Sequence, residues 1–144
     1  LGLPNIRTEL QDASVCREEW KDSADVVLCD VPCSGLGIIR KKPEIRFKNP
    51  DEIRTLPEIQ AKILANCAQY VKKGGTLVYS TCTILQRENE DVVRAFLTEN
   101  PEFEAVSWTH PVCGERADGM VTLLPPVHNT DGFFIAKLHR KSGE

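Results

Sequence analysis

The chain has no apolar run approaching the 20 or so residues a helix needs to cross a bilayer, which excludes a membrane-spanning helix. Its opening, "LGLPNIRTEL", lacks the basic region and apolar core of a secretory signal. It contains no internal repeat and no low-complexity tract, which excludes solenoid and linker-like architectures. Charge of one sign is also scarce. The net formal charge is only -3, so binding to a polyanion would need a local basic patch. None of the cysteines at 16, 29, 33, 67, 82 and 113 forms a CxxC pair, which argues against a zinc knuckle. The apolar content can build a core without disulfide staples. Reduced thiols in a cytoplasmic setting are therefore the simplest reading, with Cys29 and Cys67 as core residues. The absence of an initiator Met leads us to expect a piece of a longer protein.

The 144 residues are 41% hydrophobic and 27% charged, the composition of a globular domain or part of one. "ADVVLCDV" (24–31) is a β-branched apolar run, predicting a strand buried on both faces. "SGLG" breaks it. "IRKKPEIRFKNPDEIRTL" follows as a polar, cation-rich loop. A helix is predicted from Pro57, with Ile59, Ile63, Leu64, Cys67 and Val71 at helical spacing and "KKGG" as its stop. "TLVYST" (76–81) reads as the next strand and "QRENEDVVRAFLTEN" as a second helix, with Val92, Val93, Phe96 and Leu97 inward. "PEFEAVSW" reads as a third strand, the stretch 109–131 as a long loop, and "GFFIAKLHR" (132–140) as the closing strand. Alternation of this kind implies an α/β sheet with right-handed crossovers and ligands at the carboxyl ends of its strands.

Two such ends carry a thiol: Cys33 in "LCDVPCSGLG" and Cys82 in "LVYSTCT". If the strands are neighbours, about 4.8 Å apart, the thiols can share one pocket. Cys33 could instead be a small hydrophobe in a turn. Its surroundings favour a site. Asp30 ends the strand and needs polar partners. Pro32 stiffens the turn, and Ser34, Gly35 and Gly37 keep it thin. Cys82 precedes the second predicted helix, whose N-terminus would favour a thiolate, the form that attacks carbon. Arg40, Lys41, Lys42, Arg46 and Lys48 follow the Cys33 turn against one acid, Glu44. They are either a solvated face or a phosphate-binding rim. Phe47 could stack on a base or anchor the loop. His110, His128 and His139 show no metal or triad spacing. Asp131 and Gly132 form a turn, either a simple hairpin or a corner bordering the pocket.

"DVPCSGLGIIRKKPEIRF", "GGTLVYSTCTILQRENE" and "DGFFIAKL" together resemble the C-terminal half of the catalytic domain in RNA cytosine-5 methyltransferases, most closely the Sun or Fmu type, also called RsmB. The resemblance runs from about Asp12 to Leu138. It implies a partial Rossmann-like methyltransferase fold with a mostly parallel sheet and a C-terminal antiparallel strand. S-adenosylmethionine is the implied cofactor, RNA the implied partner, small-subunit ribosomal RNA above all, and the cytoplasm the implied location. By the same resemblance, Cys82 is the attacking thiol and Cys33 the thiol that assists product release. Asp30 is the carboxylate at the cytosine ring. Asp12, Asp30 and Pro32 lie on the cofactor side, and Arg40, Lys41, Arg46, Asn89 and Asp131 on the RNA side. No "PGGKT"-like glycine-rich turn occurs in the chain. We therefore expect residues 1–144 to be the C-terminal portion of a catalytic domain, without the cofactor motif or the N-terminal RNA-binding region, and inactive alone. Two other readings stay open: an RNA-binding module with structural cysteines, and a thiol redox protein.

Overall fold

A computed structural model describes residues 2–143. The regular elements are β1 (Ala24–Asp30), α1 (Pro50–Ala68), β2 (Val71–Thr81), α2 (Glu90–Glu99), β3 (Phe103–Ala105), β4 (Trp108–His110), β5 (Gly114–Arg116), β6 (Met120–Leu123), α3 (Pro125–His128) and β7 (Phe133–Arg140). The main sheet runs β1-β2-β7-β3, and β6 also pairs with β7. β1 and β2 are parallel, while β7 is antiparallel to β2, β3 and β6. Four of the five strands thus point one way and β7 alone points back, the mixed α/β arrangement the motifs implied.

The core lies between this sheet and the two long helices. Cys29, Leu77, Tyr79, Phe134, Ala136 and Leu138 pack against Ile63, Leu64, Val92, Val93 and Phe96. Aromatic edges close it: Tyr79 meets Phe134 at 6.1 Å and Phe96 meets Phe103 at 5.3 Å between ring centroids. The opposite face of β1 is open. Val26 and Leu28 are 63% and 68% exposed, so the strand is not buried on both faces as its apolar run predicts. Both long helices pack on one side of the sheet, and nothing among the described residues covers the other.

Three further expectations are corrected. The first helix begins seven residues before Pro57. Asn49 caps it, its side chain accepting from the Asp51 N–H, Pro50 fills the first turn, and Asp51 and Glu52 face the helix dipole. Pro57 therefore sits inside the helix. That helix ends at Ala68, so Val71 and "KKGG" belong to β2 instead of stopping it. The stretch 109–131 is not a plain loop: it holds the β4-β5 ribbon, β6 and α3.

One close approach joins the elements at the carboxyl end of the sheet. The Gly37 N–H donates to the Cys82 carbonyl at 3.0 Å, and the Gly132 N–H donates to the Gly37 carbonyl at 2.7 Å. A Cβ on Gly37 would lie 2.1 Å from the Gly132 carbonyl oxygen, a backbone atom that cannot swing away. Gly37→Ala in the intact protein should lower unfolding free energy by about 2 kcal/mol or more. Urea titration checks this. An unchanged midpoint would mean that the Gly132 turn moves aside at no cost.

Candidate active site

The parallel register sets Asp30 opposite Ser80, so the two chains leave β1 and β2 level with each other. The Val31 N–H still donates to the Ser80 carbonyl. A thiol stands shortly past each strand's last paired position, Cys33 three residues after Asp30 and Cys82 two after Ser80. The Cys33 and Cys82 sulfurs are 3.2 Å apart. Both line a cavity of about 370 Å³ with Val31, Pro32, Ile45 and Lys48. Gly35 turns the chain at φ +75°, a conformation that glycine takes without strain. Lys48 reaches back over this turn, its Nζ donating to the Ser34 carbonyl at 2.9 Å.

Burial, more than anything else, pushes the Cys33 thiol up to about 12, and its contact with Cys82 adds to the rise. Cys33 is therefore a neutral S–H donor at physiological pH. The helix expected just after Cys82 starts only at Glu90, so no helix N-terminus adjoins that sulfur.

The other expected residues divide. Arg40 and Lys41 lie on the rim, but both face Asp131, at 3.7 and 2.5 Å. Asp131 thus offsets part of the charge of these two cations. Its neighbour Gly132 does form the backbone corner against Gly37. Arg46 is held by the Pro43 carbonyl and lies over the Phe47 ring, and Phe47 is 83% exposed, so it anchors nothing in the core. Asn89 is fully buried and cannot reach RNA, which corrects that expectation. Its Nδ2 donates to the Thr83 carbonyl at 3.0 Å and its Oδ1 accepts from the Thr81 hydroxyl at 2.6 Å. His110 and His128 spend Nδ1 on backbone N–H groups of their own turns.

The three residues expected around S-adenosylmethionine are not gathered. Asp12 is exposed and bonds Ser14 two residues on, which lowers its pKa. Pro32 lines the thiol cavity. Asp30, accepting from the Ser80 hydroxyl at 2.7 Å, lines a separate depression of about 250 Å³ on the open sheet face with Leu28, Val78, Phe133 and Ile135. Asp30 therefore does not share the thiols' cavity. An apolar floor with one carboxylate at its rim fits one flank of such a cofactor, and the described residues fit no more of it than that.

Several residues here were not anticipated. Gln60, Thr81, Thr83 and Glu88 are all buried around the two thiol turns, beside Ser34, which was expected only to keep its turn thin. The one available signal was Gln60, a polar residue on the inward stripe it shares with Ile63 and Leu64.

Residues 1–139 match the family described as 16S rRNA methyltransferase RsmB/F. A Bacillus subtilis protein, "Probable ribosomal RNA small subunit methyltransferase B", is 43% identical over 98% of this chain and 33% of its own length. The crystal structure of PH0851 superposes with a TM-score of 0.88 at 36% identity, covering 96% of this chain and 32% of that one. NSun6 from Pyrococcus horikoshii, solved with the S-adenosylmethionine analogue SFG, gives 0.76 at 25% identity over 99% of this chain and 36% of that one. The chain thus spans about a third of the length of the relatives it matches. On the family match and these identities together, the chain belongs to the RsmB/F family of 16S rRNA methyltransferases.

Proposed function

We propose that the protein carrying this chain methylates carbon 5 of a cytosine in RNA, with small-subunit ribosomal RNA as substrate class, through a bond from the Cys82 sulfur to carbon 6. The observation that carries this reading is the pair of sulfurs 3.2 Å apart in one cavity at the carboxyl ends of neighbouring strands. Purely structural cysteines would be expected inside the core, as Cys29 is.

Carbon 5 of cytosine is a weak nucleophile. Addition of the Cys82 thiolate at carbon 6 moves the ring's electron pair onto carbon 5, which then takes the methyl group. Bound S-adenosylmethionine supplies that methyl group, and Asp30 with Ser80 would hold one flank of it on this chain. A base then takes the carbon 5 proton, the freed pair re-forms the ring double bond, and the carbon–sulfur bond breaks with its pair going to sulfur. Cys33, kept protonated, can hand its proton to the departing sulfur. Lys48, Arg40 and Lys41 at the rim favour the phosphates on either side of a base flipped out of its stack.

Three measurements check the reading. With RNA containing 5-fluorocytosine, the intact parent protein and Cys33→Ser should form a covalent adduct, and Cys82→Ser should form none. An adduct that survives Cys82→Ser but needs Cys33 would reverse the two roles. Iodoacetamide labelling of Cys33 should rise about tenfold per pH unit between pH 8 and 11, because its thiolate stays scarce below about 12. A plateau near pH 9 would mark an ordinary thiol. Replacing Arg40 and Lys41 with Ala should weaken RNA binding and reduce the slope of log affinity against log salt by about 1.4. Equal slopes would take this rim out of the RNA path.

A further inference from the structure

Beneath the two thiols lies a buried polar network, every side chain of which is fully excluded from solvent. Its centre is the consecutive pair Glu88 and Asn89. Glu88 Oε2 accepts the Ser34 N–H at 2.9 Å and Gln60 Nε2 at 2.9 Å, while the same Gln60 Nε2 donates to the Pro32 carbonyl at 3.0 Å. Two acceptors facing one nitrogen settle the orientation of the Gln60 amide. Both residues flanking Cys33 are thereby held. Asn89 holds both residues flanking Cys82, through the Thr81 hydroxyl and the Thr83 carbonyl. The Ser34 and Thr83 hydroxyls then join the two turns directly at 2.7 Å, and the Tyr79 hydroxyl donates to the Glu88 carbonyl at 2.6 Å.

This network is costly to bury. Glu88 Oε1 and Gln60 Oε1 are buried with no partner among the described residues. An orphaned buried acceptor destabilises a fold, so an apolar filling would serve a core better. Such departures from sound packing are expected where a site sets the geometry.

We propose that Glu88 and Asn89 are positioning residues with divided tasks, Glu88 with Gln60 setting the Cys33 sulfur for product release and Asn89 setting the Cys82 sulfur for addition. The proposal rests on the thiol-adduct reading above. In that chemistry the carbon–sulfur bond forms at Cys82 and later breaks with a proton from Cys33. Displacing one turn should therefore slow one step more than the other.

The test uses the intact protein. The rate of adduct formation on 5-fluorocytosine RNA reads addition. The fraction of ordinary RNA left covalently attached in the presence of S-adenosylmethionine reads failed release. The thermal midpoint reads folding. Glu88→Ala should lower the ratio of release to addition at least tenfold, leaving ordinary RNA attached as Cys33→Ser does. Asn89→Ala should slow addition at least tenfold with no attached RNA accumulating. Glu88→Gln, whose amide oxygen can still accept the Ser34 N–H, should restore release to within a few-fold of the parent. If Glu88→Ala does not fold, Gln60→Leu removes the Pro32 anchor and one of the two donors to Glu88 while leaving the Glu88 bond to the Ser34 N–H, and should show the same release defect. Loss of both steps in equal proportion, tracking the thermal midpoint, would overturn the divided roles while leaving the thiol chemistry standing. A parent protein that forms no adduct would overturn the thiol chemistry itself and this inference with it.

Discussion

The parallel ladder between β1 and β2 is the constraint on which the site depends. Parallel strands in register deliver their carboxyl ends at one height and about 4.8 Å apart. With Asp30 opposite Ser80, a step of three residues to Cys33 and of two to Cys82 brings the sulfurs together. A register shift of one residue would move one thiol by about 3.3 Å and turn its side chain to the other face. The glycine contact between residues 37 and 132 and the network around Glu88 both build on that registration.

The two faces at this end of the sheet carry different chemistry. Val31 faces the thiol cavity and its neighbour Asp30 faces the open side, because successive strand residues point in opposite directions. The thiols, a neutral Cys33 and the cationic rim occupy one face. A carboxylate over an apolar floor occupies the other. Such a division suits a reaction between two ligands that arrive from opposite sides of a strand end. Asp131 tempers the rim. Its carboxylate offsets about half the charge of Arg40 and Lys41, so the basic character visible in the sequence exceeds what the folded surface offers.

Much of the fold was legible in the residues because burial imposes strong local patterns. β1, β2 and β7 are short apolar runs bounded by glycine, proline or charge. The α2 stripe of Val92, Val93 and Phe96 follows helical spacing and is buried as expected. The failures share a different origin. Pro57 looked like a helix start, but Asn49 and Pro50 form a complete cap upstream and the helix tolerates the inner proline. The short strands β4, β5 and β6 carry little periodicity of their own, and β6 exists because β7 offers it an edge. The resemblance set Asn89 on the RNA side, yet only packing decides that it points inward.

By itself the sequence determined the main strands and helices, the two strand-end thiols and the kinship of the chain, since each is written in local spacing and residue type. Tertiary structure alone decided which side chains meet. It parted Asp30 from the thiols, paired Asp131 with Arg40 and Lys41, and drew Gln60, Glu88 and Asn89 beneath both cysteines. Those outcomes rest on contacts between residues far apart in the chain, such as Ser34 with Glu88 and Arg40 with Asp131. No local pattern encodes such a contact, because its free energy exists only after the sheet and helices have closed around it.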